Sequence, residues 1–327
     1  MNCLFCSVLL TPENDHAEHI IPNALGGRLK RKGLLCNTCN NKAGAEWDAK
    51  LAEQLNPFSL ILGIKRQKGT VPKQLFQEIG GSSRIWLFSN GTKIRDLPRF
   101  QRKIDEDGNT AIQLNPQSKE EALRMIKYLK AHYPKIDEAA LLASITETLT
   151  PEKNILNMNV TIYGLAIKSI VKTALCFAIS EGADPSQCGS IIRYLKGEQE
   201  TIDSRFYTNS EVLLNRPMDR VLHCVAVSNR ATNNQLMAYV ELFGFHSFLI
   251  RLCANYNGPR VHSAYGIDPV TGSGFSPTVS LSLSRSEMAQ VLSADQGSHT
   301  DVIQRRAATL MRVAAVREKE LAANREQ

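Results

Sequence analysis

The chain has 327 residues, 43% of them hydrophobic, which is enough for two or three domains with hydrophobic cores. Its 39 basic and 32 acidic residues give a net charge of +7, which is compatible with binding to a polyanion but does not establish it. No apolar run reaches the roughly 18 residues of a membrane span, and no signal peptide precedes Cys3. We therefore expect a cytoplasmic protein with no membrane segment.

Two Cys-x-x-Cys pairs lie at the amino end, Cys3 with Cys6 and Cys36 with Cys39. One such turn presents two thiolates to the same ion, and two turns complete a tetrahedral zinc site. A structural zinc site keeps no open position, so any chemistry must come from residues held between the pairs. The other four cysteines stand singly among apolar residues and are expected to be reduced core residues. They are Cys176, Cys188, Cys224 and Cys253.

The segment between the cysteine pairs carries Glu18 and His19, followed by an apolar run and then Gly26 and Gly27. This pattern predicts a short strand that turns back at the glycine pair. Adjacent strand residues point to opposite faces, so one of the two polar side chains can face a cation while the other faces a water. His16 is interpreted as a surface histidine, with contact to a metal or phosphate as the alternative. The simpler interpretation of the whole segment is a zinc ribbon without chemistry.

These residues together resemble the HNH, or ββα-metal, endonucleases, and most closely the zinc-stapled subset that includes phage endonuclease VII. The resemblance is carried by the first cysteine pair, by EHIIP from Glu18, by the glycine turn, and by GLLCNTCNN from Gly33. It covers roughly residues 1 to 55. The family usually has Asp before the histidine, whereas this chain has Glu18, which is one methylene longer but still offers a hard oxygen ligand.

The resemblance implies hydrolysis of a phosphodiester bond, with His19 as the general base that takes a proton from the attacking water. It implies structural Zn²⁺ on the four cysteines of the two pairs. It also implies a catalytic Mg²⁺ or Mn²⁺ held by Glu18 and Asn40, with Asn41 or Asp48 as alternative ligands to Asn40.

Four basic residues fall between the two halves of the motif. They are Arg28, Lys30, Arg31 and Lys32. Such a run is usually a solvated loop, but beside a phosphodiester site the same charges would contact backbone phosphates. We therefore predict that these residues bind nucleic acid. After the second cysteine pair, the spacing from Lys42 to Leu55 predicts the helix of a ββα module.

The predicted fold class is α+β, with the zinc-stapled ββα module at 1–58 and a larger α+β region behind it. Residues 59–150 are predicted as a connector with hairpins and helices, including a turn at Asp107 and Gly108. Residues 151–327 are predicted as an α+β domain for DNA binding, dimerisation or regulation. Its apolar helix carries Lys168 and Lys172, which we place on the wet side. An antiparallel sheet and a long terminal helix complete the region.

The predicted function is a metal-dependent endonuclease acting on double-stranded DNA, with defence against foreign DNA as its expected context. One alternative is a non-catalytic, zinc-dependent nucleic-acid-binding protein. Another is a nuclease gated by a small-molecule signal that the C-terminal region senses. A homodimer would let two sites cut two strands, and both dimerisation and a regulatory ligand or partner subunit are left open.

Overall fold

The computed structural model divides the chain into two compact units. The first comprises 1–72, 89–91 and 160–327, and the second comprises 73–88 and 92–159. The residues described are 1–79, 83–104, 106, 110–116, 118–146, 156–158, 160–207, 211–229, 234–281 and 300–326. None of the helices described combines the length and the apolar character that crossing a bilayer requires. The mixture of helices and antiparallel sheets confirms the predicted α+β class.

The first unit begins with the predicted hairpin. Strand β1 (Asp15–His19) pairs antiparallel with β2 (Lys30–Cys36). The connection contains a short 3-10 turn, Asn23–Leu25, and then the glycine pair. Gly26 has φ +93°, and a Cβ on Gly27 would lie 1.9 Å from the carbonyl oxygen of Ile21, so glycine is required at both positions.

The helical part of the module starts directly at the second cysteine pair, earlier than the spacing predicted. Helix α1 (Asn37–Ala43) runs into one π-helical turn, Gly44–Asp48, and then into α2 (Ala49–Gln54). A short helix α3 (Asn56–Ile61) follows. The π turn moves the register of the helix by one residue, a distortion frequent at functional sites.

The rest of the first unit is a helical layer on a six-stranded antiparallel sheet. The strands of this sheet are β9 (Ser204–Phe206), β10 (His223–Ser228), β11 (Leu236–Leu242), β12 (His246–Cys253), β13 (His262–Ile267) and β14 (Gly274–Phe275). Their order across the sheet is β14-β13-β10-β11-β12-β9. The helices are α6 (Leu165–Ser180), α7 (Gly189–Lys196) after a 3-10 turn at Pro185–Cys188, and α8 (Thr300–Glu326). Helix α6 packs on β10, β11 and β12 and also on the ββα module.

The second unit is smaller. It has a four-stranded antiparallel sheet of order β5-β4-β3-β8 and a separate hairpin, β6-β7. The strands are β3 (Gln74–Glu78), β4 (Arg84–Leu87), β5 (Lys93–Arg95), β6 (Phe100–Ile104), β7 (Thr110–Leu114) and β8 (Leu156–Asn157). The helices are α4 (Lys119–His132) and α5 (Glu138–Ala143). The predicted turn residues Asp107 and Gly108 lie outside the described residues.

This division differs from the three predicted regions, 1–58, 59–150 and 151–327. Buried residues of the ββα module, such as Ile20 and Leu51, belong to the same hydrophobic cluster as Val171 of α6 and Val225 of β10. A module of about 55 residues buries only about 60% of its surface on folding and is marginally stable alone, and here the sheet and α6 complete its core. The second unit is therefore an insertion between two parts of one core.

Candidate active site

The four cysteines of the two pairs converge at the start of the molecule. Their sulfur atoms all lie within 4.8 Å of one another, and Cys6 Sγ and Cys36 Sγ are 3.6 Å apart. Four sulfurs at 2.3 Å from one zinc ion would be separated by about 3.8 Å. The backbone N–H of Cys36 donates to Cys3 Sγ at 3.4 Å, which favours thiolate character there. The cluster therefore fits a tetrahedral zinc ion, and all four cysteines are free of disulfides.

Glu18 lies at the end of β1 with its side chain turned inward. It is 3% exposed, and its carboxylate accepts a hydrogen bond from the ammonium group of Lys172, on α6. Lys172 Nζ also donates to Asp48 Oδ2 at 2.7 Å, and Ser169 Oγ donates to Asp48 Oδ1 at 2.6 Å. The π turn that ends at Asp48 brings this second carboxylate to the buried lysine. One ammonium group from α6 thus connects the two halves of the ββα module.

Lys172 was predicted on the wet side of the helix. This prediction is wrong, because the side chain is fully buried. Burial alone lowers the pKa of a lysine, but the carboxylates of Asp48 and Glu18 reverse this and hold the pKa of Lys172 above its usual value. Burial raises the pKa of Glu18, and the charge of Lys172 offsets this only in part. Lys172 therefore stays protonated at neutral pH.

His19 is the last residue of β1 and is half-buried. Its Nε2 lies 3.1 Å from Gln67 Oε1, in the loop that follows α3. With Gln67 Oε1 as the acceptor, Nε2 carries the hydrogen and Nδ1 keeps its lone pair. Burial lowers the pKa of His19, with the charge of Lys30 acting in the same direction. The imidazole is therefore neutral near pH 7, the form that can accept a proton.

Asn40 lies on α1 and contacts His16 rather than Glu18. The Asn40 Nδ2 atom and His16 Nδ1 are 2.6 Å apart, a distance shorter than an ordinary N–H···N bond. Turning the amide would place Asn40 Oδ1 beside the same nitrogen. Asn40 and His16 therefore form a polar pair at the surface, whereas Glu18 is buried against Lys172.

The four predicted phosphate contacts divide into two kinds. Arg28 NH2 donates to the carbonyl oxygen of Lys65 at 3.1 Å, and Arg31 lies 3.5 Å from a carboxylate oxygen of Glu181. Lys30 and Lys32 are exposed on β2. Lys30 lies directly opposite His19 in the hairpin, so its charge is at the site.

Two further hydrogen bonds hold the hairpin against the sheet and α6. Thr173 Oγ1 donates to the carbonyl oxygen of Ile20 at 2.8 Å. His223 on β10 lies 2.8 Å through Nε2 from the carbonyl oxygen of Leu25, and its Nδ1 accepts the N–H of Phe243. These bonds fix the neutral imidazole of His223 with its hydrogen on Nε2. Together, the bonds to Ile20 and Leu25 position the two ends of the segment that follows His19.

The buried His223 is expected to make stability fall in acid. Burial lowers its pKa from 6.5 to about 4, although Glu241 and Asp268 oppose the shift. The unfolded chain binds the proton more readily, so the contribution present above pH 6.5 is lost as the pH falls toward 4, by about 3 kcal/mol in total. Urea unfolding at pH 7, 6 and 5 checks this. His223→Gln should lose less stability over that range than the wild type, and equal losses would contradict the assignment.

Two contributors to the site, Lys172 and Gln67, were not predicted as site residues, and a third, Asp48, was predicted in another role. Lys172 and Gln67 are separated from their partners by 154 and 48 residues, and no local spacing marks them. Asp48 was considered as a metal ligand, but in the structure its partners are Lys172 and Ser169. A lysine in the middle of an otherwise apolar helix was the only available signal for a buried ion pair.

Residues 3–56 match a family model described as HNH endonuclease. The matched segment contains all four cysteines of the cluster, both strands of the hairpin and α1 through α2. Neither curated proteins nor solved structures gave a match to the chain. About a sixth of the chain, including the four-cysteine cluster, is therefore similar to HNH endonucleases.

Proposed function

We propose that this chain is a metal-dependent endonuclease that hydrolyses phosphodiester bonds of DNA at its N-terminal HNH module. The observation that carries the proposal is the position of His19. His19 is the last residue of β1, and its pKa is lowered. The cysteine cluster, α6 and the sheet hold the hairpin that contains it in place. A neutral imidazole fixed in this way is suited to act as a general base.

In the proposed reaction, a water molecule attacks the phosphorus atom and transfers its proton to His19. The bond from phosphorus to the departing sugar oxygen breaks, and that oxygen leaves with a proton from solvent. Gln67 keeps the imidazole in the required orientation and tautomer through Nε2. Lys30, opposite His19, contributes positive charge for the phosphate.

Glu18, Asn40 and His16 together offer the donor set of a hard divalent cation. Glu18 offers a carboxylate oxygen and Asn40 an amide oxygen, which are ligands that Mg²⁺ and Mn²⁺ prefer, and His16 adds a nitrogen. When bound there, such a cation would neutralise charge on the phosphate and on the departing oxygen. Glu18 would have to share its carboxylate between the cation and Lys172.

Replacing the proposed base is the direct test. Zinc-loaded His19→Ala is expected to cut plasmid DNA at least about 100-fold more slowly than the wild type in Mg²⁺ or Mn²⁺, with EDTA stopping the wild type. His132→Ala, which changes an exposed histidine of the second unit, is the matched control and should cut normally. Zinc content and melting temperature should be the same in all three proteins.

The proposal fails if His19→Ala cuts at the wild-type rate. It also fails if the zinc-loaded wild type cuts neither plasmid DNA, single-stranded DNA nor structured RNA in either metal. Cutting of RNA alone would retain the nuclease and replace the substrate.

The ion pair between Glu18 and Lys172 favours one alternative, a zinc-dependent nucleic-acid-binding protein without catalysis. There the ammonium group of Lys172 would take the cationic position that the family gives to a metal. Binding without cleavage in the wild type and in His19→Ala would identify this function. Double-stranded DNA as the preferred substrate, dimerisation, a regulatory ligand sensed by the C-terminal region and defence against foreign DNA stay predictions.

A further inference from the structure

The loop after α3 lies beside the proposed base and carries unpaired positive charge. It runs from Gly63 to Gly69, two glycines with φ of +59° and +73°, and contains Lys65, Arg66, Gln67 and Lys68. The HNH family match ends before this loop, at residue 56. We call it the basic loop.

Two hydrogen bonds anchor the basic loop to the connection between β1 and β2. The N–H of Gln67 donates to Asn23 Oδ1 at 2.9 Å, and Arg28 NH2 donates to the carbonyl oxygen of Lys65 at 3.1 Å. The side chain of Gln67 then reaches His19 Nε2 at 3.1 Å. The loop is thus held with its centre against the imidazole.

The lysines of the basic loop lie close along the chain to Gln67, the residue that contacts the proposed base. The Cα atoms of Lys65 and Lys68 lie within about 8 Å and 4 Å of the Cα of Gln67 along the chain. Both lysines are exposed, and no ion pair with either is found in the described part of the chain. Arg66 is half-buried and donates to the carbonyl oxygen of Thr70. Two exposed ammonium groups therefore belong to the loop whose Gln67 contacts His19.

Lys30 provides a third free charge, because it is exposed and lies opposite His19 in the hairpin. Exposed lysines gathered in one place create a positive potential that attracts anions. A phosphodiester backbone carries one negative charge per nucleotide and binds such groups by release of its counterions.

We propose that the basic loop is a nucleic-acid backbone site, in which Lys65 and Lys68 bind phosphates flanking the one that His19 acts on. This inference rests on the proposed function and extends the binding surface beyond the HNH module. It predicts positioning of the strand without reading of its bases, since point charges contact phosphate alone.

The test compares a variant that removes the charges of the loop with one that keeps them. Zinc-loaded wild type, K65Q/K68Q and K65R/K68R are titrated onto fluorescent duplex DNA, single-stranded DNA and RNA without added Mg²⁺ or Mn²⁺. Anisotropy is measured across a range of NaCl concentrations. Loss of two phosphate contacts should flatten the slope of log Kd against log salt by about 1.8 on duplex DNA or about 1.4 on a single strand. K65R/K68R should keep the wild-type slope, and all three proteins should melt at the same temperature.

An unchanged slope for K65Q/K68Q on all three nucleic acids would overturn the inference. Equal flattening by K65R/K68R would also overturn it, since the charge would then not be the cause. If the wild type binds and cuts while K65Q/K68Q keeps the wild-type salt slope, only the role of the basic loop is overturned and the proposed function stays intact. A wild type that neither binds nor cuts any of the three would remove both.

Discussion

Removal of zinc from the cysteine cluster is expected to unfold the HNH module and to abolish binding and cutting together. The cluster joins the residues before β1 to the end of β2 and the start of α1. Structural zinc contributes about 10–16 kcal/mol of apparent binding free energy at neutral pH in small zinc domains, and that energy is coupled to folding. Without the ion, four thiols would also remain crowded within 4.8 Å.

Cys36→Ser tests this with Cys253→Ser as the matched control. Cys253 lies on β12 outside the cluster, so its variant should bind one zinc ion and melt like the wild type. Cys36→Ser should lose the zinc, and its circular-dichroism signal should melt at a lower temperature than that of the wild type. A Cys36→Ser protein with wild-type melting would show that the shared core holds the module without the ion.

Replacement of Lys172 by methionine is expected to destabilise the first unit by about 3–5 kcal/mol. The change removes the ammonium group and leaves two carboxylates, Glu18 and Asp48, with side chains only 4% and 16% exposed. Removal of one partner from a buried ion pair is costly in this range, because the remaining charge has lost both water and its partner.

Lys168→Met, one turn earlier on the same helix, is the control. Lys168 donates to the carbonyl oxygen of Leu195 and lies over the ring of Trp47, so its loss should cost about 1 kcal/mol or less. The triple variant E18Q/D48N/K172M should recover much of the lost stability. Urea unfolding measures all three, and equal stability of Lys172→Met and Lys168→Met would contradict the role of the ion pair.

The zinc cluster and the ββα hairpin could be predicted because their determinants are local. Two cysteine pairs, one glycine pair and an adjacent acid and histidine all fall within 40 residues, where spacing translates directly into geometry. The central strands of the sheet were also predictable, since β10 to β12 are continuous apolar segments. Such patterns depend on neighbours along the chain.

The environment of Glu18 was not predictable in this way, because its partner is 154 residues away in another predicted region. The usual solvation of helix lysines predicted Lys172 on the solvent side of α6, yet the ββα module packs against this helix and Lys172 is buried. Arg306 of α8 is likewise only 3% exposed and is ion-paired with Glu211, which is 95 residues away along the chain. In both cases a charged residue is buried by a partner that sequence spacing cannot identify.

The shared core has a consequence for attempts to transfer the HNH-like module to other proteins. A fragment that ended near residue 58 would expose Ile20 and Leu51 to water and would separate Glu18 from its counter-charge. Fusing such a fragment to a foreign DNA-targeting domain would therefore yield an insoluble or inactive chimera. A functional graft would have to carry α6 and the sheet with it, whereas the inserted second unit is the part that such engineering could exchange.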